Sequence, residues 1–338
     1  MTVRMSAPTI GNAVGILSTG SYVPKEEISN EEVAERVGVD SEWIERKTQI
    51  ISRRYAAPTE AASDLATKAA RRALDAAGVP AEALDYIIVS TGTGDSPQPP
   101  TAYLVQDALD AHNAACLDIS AACSGFVYGM ELARGLLVSR PDALILIVAA
   151  EVYSRFADFS DRRTSVLLGD GAGAAIVGSV PAPYGLLGVE LVSRGDAHAL
   201  IRIEAGGSRM PASRDTVETG GHYVKMNGRG VSEFVLEHVP PVLERLVERA
   251  GLRLDQVRHF VPHQPNGVLL SRLSDASGLV NARTHRTVER YANMGSASVA
   301  VTLDEASTDF RDGDLVLIAG FGGGMAVGAC LVRWAVAA

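Results

Sequence analysis

Two hydrophobic patterns alternate along this chain. One is a continuous apolar run of strand length. The other is an apolar position recurring every three or four residues. Thr59 to Ala77 (TEAASDLATKAARRALDAA) sets Leu65, Ala69, Ala73 and Leu74 on one stripe and is followed by Gly78. That spacing predicts an amphipathic helix closed by a glycine cap. Tyr86–Ser90 (YIIVS) and Ala143–Ala149 (ALILIVA) are unbroken apolar runs, as expected of strands covered on both faces. The alternation predicts an α/β class. Gly185 to Arg214 has weaker periodicity and is expected to be connecting structure.

The second half repeats the grammar of the first. One helix ends at Ala77-Gly78 and leads through a short acidic linker into YIIVS. Another, from about Val231, ends at Ala250-Gly251 and leads through RLDQV into a strand at His259–Pro262. The pattern predicts an internal duplication, with halves at 1–180 and 181–338 and a site in the cleft between them.

Composition narrows the class. The 338 residues are 47% hydrophobic and 21% charged, as in a globular protein, and only 5% aromatic, so the core is aliphatic. A net charge of −9 argues against nucleic acid as a partner. Three cysteines at irregular spacing (Cys116, Cys123, Cys330) suggest neither a disulfide framework nor a zinc site, and point to a reducing, cytoplasmic setting. The opening MTVRMSAPTIGNAVG lacks the apolar stretch of a signal peptide, and Ala143–Ala150 is too short to span a bilayer, so no membrane association is expected.

Cys123 follows a predicted short strand, Cys116–Ile119, in a turn of small residues (AACSG) that opens a helix. A helix N-terminus favours the thiolate, which is the nucleophilic form. A cysteine among alanines also reads as a small core hydrophobe, and Cys116 and Cys330 fit that description. His263, in FVPHQPN at a strand end, and Asn293, in RYANMGSAS before a helix, are candidates to polarise a thioester carbonyl or hold an enolate. The stretches Gly169–Gly173 (GDGAG) and Gly320–Gly324 (GFGGG) run into strand-like sequence, not into helices. A dinucleotide fingerprint is therefore excluded, and both are expected to be turns passing close to the site.

Taken in order, SEWIERKT, DISAACSGF, LLGDGAGAAIVG, VPHQPN, ANMGSASV and GFGGG identify a family resemblance. The chain resembles the β-ketoacyl-acyl-carrier-protein synthase III family over practically its whole length. The resemblance implies a five-layered αβαβα thiolase fold, a homodimer, and a Cys123–His263–Asn293 triad, with the backbone N–H groups of Cys123 and Gly322 as oxyanion hole. It implies acyl-coenzyme A or acyl-carrier-protein thioesters as substrates and no permanently bound cofactor. It sets Trp43 and Arg162 about the adenine, and Asn266 and Gly228 along the pantetheine channel.

The chain departs from the family at several positions. Lys47 stands where housekeeping members carry an arginine. Gln98, Leu168 and Ser232 replace aromatic residues along the acyl pocket. Glu233, Val268, Asp275 and Ala276 stand where a basic patch docks carrier protein. The implied activity is acyl loading on Cys123 and decarboxylative condensation with a malonyl thioester. The alternatives are transfer of the acyl group to a hydroxyl or amine, where relatives often carry aspartate at the position of Asn293, and a non-catalytic partner subunit. A degradative thiolase lacks a second catalytic cysteine here, because Cys330 falls inside the last predicted strand.

Overall fold

The computed structural model describes residues 12–336. Residues 1–11, which carry most of the N-terminal stretch discussed above, lie outside the described residues. Ten strands form two five-stranded sheets. The first contains β1 (Asn12–Tyr22), β2 (Tyr86–Ser90), β3 (Ala115–Ile119), β4 (Ile145–Val152) and β5 (Asp170–Pro181) in the order β1-β5-β4-β2-β3. The second contains β6 (Gly185–Ser193), β7 (His259–Pro262), β8 (Arg283–Thr284), β9 (Leu315–Gly322) and β10 (Ala326–Arg333) in the order β8-β7-β9-β10-β6. Counted within its own half, each sheet runs first, fifth, fourth, second, third. In both, the second strand is parallel to the third and fourth, while the fifth is antiparallel to both of its neighbours.

The helices that cover the sheets are α1 (Ser41–Thr48), α2 (Ala62–Ala77), α3 (Thr101–Leu109), α4 (Gly125–Ser139), α5 (Gly228–Arg249), α6 (Gly267–Ala276) and α7 (Ala297–Ser307). Alternation along the strands separates the layers. On β2 and β4, Ile87, Val89, Leu146 and Val148 pack with Leu65, Ala69 and Val105 of the outer helices α2 and α3. Ile88, Ile145 and Ile147 point the other way, onto Phe126, Val127 and Met130 of α4 and Val299 and Leu303 of α7. Val316 and Ile318 of β9 close that same core from the other side, while Leu315, Leu317 and Phe321 face α5 and α6. The stack is helix, sheet, helix, sheet, helix: the five-layered thiolase arrangement.

Several local expectations need correction. The helix expected from Thr59 begins at Ala62, but Gly78 closes it in the left-handed conformation (φ +62°) as expected. Gly185–Ser193 is a strand, not connecting structure. It is a half-buried edge strand whose partner β10 lies far downstream, so local periodicity could not reveal it. Most of GDGAG lies inside β5, and Gly320 and Gly322 lie inside β9, so these are strand glycines where turns were expected, whereas Gly323 and Gly324 form a turn as expected. They do mark close approach: a Cβ on Gly173 would stand 2.5 Å from the Ala300 methyl of α7.

Met130 is fully buried in the central layer between the sheets. Met130→Ala is expected to lower unfolding stability by about 2–5 kcal/mol, measured by urea unfolding. A loss of only a few tenths would mean that the two sheets do not share this core.

Candidate active site

The nucleophile candidate sits at a strand–turn–helix junction. β3 ends at Ile119, a single turn spans Ala122–Ser124, and α4 starts at Gly125. Ala122 adopts φ +44°, a conformation that costs a residue with a side chain about 1 kcal/mol or more. Gly125 has to be glycine, because a Cβ there would lie 1.8 Å from Ser90 Oγ at the end of β2. The end of β9 presses on the same turn from the second half. A Cβ on Gly320 would stand 2.7 Å from the Cys123 carbonyl oxygen, and one on Gly322 would stand 2.8 Å from Sγ.

Burial decides the protonation of this thiol. Cys123 is 9% exposed, and desolvation pushes its pKa up to about 12, with the Glu151 carboxylate adding to the rise. The backbone N–H groups of Gly323 and of Cys123 itself oppose this only in part. Burial thus works against the thiolate that the helix N-terminus was expected to favour. Gly323 was not anticipated as a neighbour of the sulfur.

His263 follows β7 directly, and its N–H donates to the Ala319 carbonyl of β9 at 2.7 Å. Its imidazole is buried, meets Phe321 edge-on at 5.4 Å between centroids, and leaves Nδ1 without a hydrogen-bond partner. Burial lowers its pKa to about 3, so the ring is neutral at ordinary pH. Asn293 is clamped along its backbone. Its N–H donates to Leu167 O at 2.8 Å, and its carbonyl accepts from Gly169 N–H at 2.9 Å. Its side-chain Oδ1 accepts from Gly295 N–H at 2.9 Å, which leaves the amide NH2 as the free donor.

Cys123, His263, Asn293 and Gly322 line one cavity of about 350 Å3. Trp43, Lys47, Gly228, Ser232 and Asn266 line it too. Arg162 does not, but its guanidinium lies over the Trp43 ring at 5.6 Å. Leu168 is buried as the bridge partner of Asn293, while its neighbours Val166 and Leu167 face the cavity. Gln98 is exposed in the loop after β2 and lies outside the lining. Val268 lines the cavity, whereas Glu233, Asp275 and Ala276 do not.

Sequence reading missed Arg163, Met226, Val235, Leu269 and Arg272. A helical-face signal was available for some of them. Gly228, Val231, Ser232 and Val235 share one face of α5, and Val268, Leu269 and Arg272 share one face of α6.

Comparison with known proteins gives the family. Residues 117–195 match the family model for 3-oxoacyl-[acyl-carrier-protein] synthase III, and residues 247–334 match its C-terminal model. An acetoacetyl CoA synthase from Streptomyces sp. (strain CL190), NphT7, is 46% identical over 323 residues, covering 94% of this chain and 98% of that protein. The chain belongs to the 3-oxoacyl-[acyl-carrier-protein] synthase III family. This synthase III chain is also 40% identical to the β-ketoacyl-[acyl-carrier-protein] synthase III of Caldanaerobacter subterraneus subsp. tengcongensis, over 95% of its length and 98% of the relative's. Among solved structures it resembles the priming β-ketosynthase of the R1128 polyketide pathway, with a TM-score of 0.88, 33% identity and 98% coverage of each chain. It also resembles the synthase III of Aquifex aeolicus VF5, with a TM-score of 0.86, 32% identity, and coverage of 95% of this chain and 100% of that one. Synthase III chains are condensing enzymes, and this one is an enzyme of that kind. No described helix is long and apolar enough to cross a membrane.

A thiol held at pKa about 12 alkylates slowly at neutral pH. Modification of Cys123 by iodoacetamide should be slower than that of a free cysteine peptide at pH 7.5, and should climb about tenfold per pH unit up to pH 10. A plateau below pH 8, followed by intact mass, would show a thiolate at rest.

Proposed function

We propose that this chain is an acyltransferase and condensing enzyme that loads an acyl group from coenzyme A onto Cys123 and condenses it with a malonyl thioester. The N-terminal half, 1–180, supplies the nucleophile. The C-terminal half, 181–338, supplies His263 and Asn293. The observation that carries the proposal is that thiol, imidazole and amide line one cavity, with Trp43 in the same lining and Arg162 over its ring.

In the first step Cys123 Sγ attacks the thioester carbonyl of the donor. The S–C bond to coenzyme A breaks, and the thiol proton ends on the departing coenzyme A sulfur. The oxyanion formed on the way is held by the N–H groups of Cys123 and Gly322. The malonyl thioester then enters, and its carboxylate leaves as CO2. The bonding pair stays behind as an enolate whose oxygen takes hydrogen bonds from neutral His263 and the Asn293 amide. The enolate carbon attacks the acyl-enzyme carbonyl, and collapse of the tetrahedral intermediate returns the Cys123 thiolate, which takes up a proton. A neutral imidazole suits this role, because the group must donate to the enolate oxygen without protonating the carbon.

Coenzyme A is favoured over carrier protein as the handle on the extender. Glu233, which pairs with Arg229, and Asp275 are exposed acids on α5 and α6, so an acidic carrier protein meets less attraction there than at a basic patch. The Streptomyces relative is named for a coenzyme A thioester product. Ser232 in the lining, in place of an aromatic residue, suits a primer of different shape from that of housekeeping members, and Lys47 beside Trp43 offers a point charge where an arginine would stack. The active unit is a homodimer in the cytoplasm, with no permanently bound cofactor, as the family resemblance implies.

A panel of acyl-coenzyme A thioesters read by intact mass tests the first step, and CO2 release from malonyl-coenzyme A against malonyl-carrier protein tests the second. The expected result is a mass gain abolished by Cys123→Ala and faster release from the coenzyme A thioester. A gain that survives Cys123→Ala sinks the assignment. Acylation without any CO2 release would turn the assignment to simple transfer onto a hydroxyl or amine. Asn293→Asp is expected to slow CO2 release by about 100-fold while acylation stays within about threefold, since one charge-stabilising donor is lost. Equal loss in both steps would contradict the role given to Asn293.

A further inference from the structure

Glu151, the penultimate residue of β4, is fully buried and takes no part in the steps above. One carboxyl oxygen accepts from Gly92 N–H at 3.1 Å and from the Thr93 hydroxyl at 2.7 Å. The other accepts from the Ser296 hydroxyl at 2.8 Å, and the Ser296 backbone N–H also contributes. Thr93 Oγ1 in turn accepts from Val152 N–H at 2.8 Å. Gly92 and Thr93 follow β2 in the first half, whereas Ser296 immediately precedes α7 and ends the turn that carries Asn293.

The turn is also held at its start by the Asn293 backbone bonds to Leu167 and Gly169, and at Met294, whose N–H donates to Ser298 Oγ at 2.9 Å. Gly295 sits at φ +53°, against the Tyr153 ring and the Glu151 side chain; a Cβ there would stand 2.3 Å from the ring and 3.1 Å from Glu151 Cγ. Gly295 N–H is also the group that fixes the Asn293 amide. A shift of the turn at Ser296 therefore reaches the Asn293 side chain through the Gly295 N–H.

No lysine, arginine or histidine hydrogen-bonds the Glu151 carboxyl among the described residues. The titratable groups facing it are Cys123, from the turn before α4, and Tyr153, just beyond β4. A buried carboxyl without a cation is a costly way to fill a core. What it offers that an amide does not is acceptor capacity on both oxygens. Four side-chain and backbone donors from two halves converge here, and a glutamine would have to turn its NH2 toward two of them.

We propose that Glu151 is a positioning residue for decarboxylation: its carboxylate ties Ser296 to the Gly92–Thr93 loop, and so keeps the Asn293 amide oxygen on Gly295 and the NH2 toward the cavity. The proposal rests on the role given to Asn293 above. Burial raises the Glu151 pKa to about 7, so the carboxylate form that binds four donors is gained as pH rises through neutrality. The Ser296 hydroxyl also lies 3.2 Å from Ser90 O, an acceptor it can turn to when the carboxyl is protonated.

The test uses full-length enzyme preloaded on Cys123, with malonyl-coenzyme A as probe and CO2 as readout between about pH 6 and 9. Glu151→Gln is expected to slow CO2 release by about 10- to 100-fold, the worth of hydrogen bonds to a charged group, while acylation of Cys123 stays within about threefold. Wild-type CO2 release should rise through about pH 7, and that rise should be missing in Glu151→Gln. Ser296→Ala, which leaves the carboxyl in place, should slow CO2 release in the same sense, and it decides the matter alone if Glu151→Gln does not fold. Unchanged CO2 release in folded Ser296→Ala, or equal loss of acylation and CO2 release, overturns the proposal. Asn293→Asp with undiminished CO2 release would instead overturn the role of Asn293, a distinct outcome.

Discussion

The end of β9 lies flush against the turn that carries Cys123, and the rest of the site is arranged around that contact. At Gly320 two backbones from different halves meet without room for a side chain, and at Gly322 the backbone meets the Cys123 side chain in the same way. A similar closeness recurs where Gly125 meets Ser90 and where Gly173 meets Ala300. Each lets a central helix sit nearer to a sheet than side chains would allow. Low aromatic content and frequent glycine are therefore conditions of the architecture: a five-layer stack brings three chemically active residues together only if its layers can nearly touch.

Those three residues are held mainly through the backbone. His263 is fixed by its ladder bond to Ala319, and Asn293 by paired bonds to Leu167 and Gly169. Cys123 is caught between the strain at Ala122 and the strand above it. Burial then sets the chemistry, because the same loss of water raises the thiol and lowers the imidazole. Burial thus favours the neutral form of both groups, and the charges that line the cavity, Lys47, Arg163 and Arg272, stand at exposed positions.

Much of this was legible from sequence because it is local. The strands at Tyr86–Ser90 and His259–Pro262 have the predicted bounds, since a continuous apolar run needs no distant partner to be recognised. The edge strand Gly185–Ser193 was missed because its identity depends on β10, which is far away in the chain. The strand glycines were misread for a related reason: a glycine in a turn and one beneath a crossing helix look alike in sequence. Cys123, His263 and Asn293 were nameable from their motifs, but the state of the thiol was not, because desolvation is a property of the assembled layers. Glu151 left no signal at all, since EVYSRF reads only as the end of a strand.

The cavity walls change character with depth. Lys47, Arg163 and Arg272 line it from exposed positions, whereas Val166, Leu167 and Phe321 are buried, as is the neutral His263. An anionic group is drawn to the rim by these cations and then loses its water further in, where no opposite charge replaces the shell. A carboxylate carried that far stands well above its free energy in solution. Loss of CO2 leaves the negative charge behind on an enolate oxygen, the position that the donors proposed above would face. The same gradient that draws the substrate in thus favours moving its charge from a carboxylate without a partner to an oxygen with donors beside it.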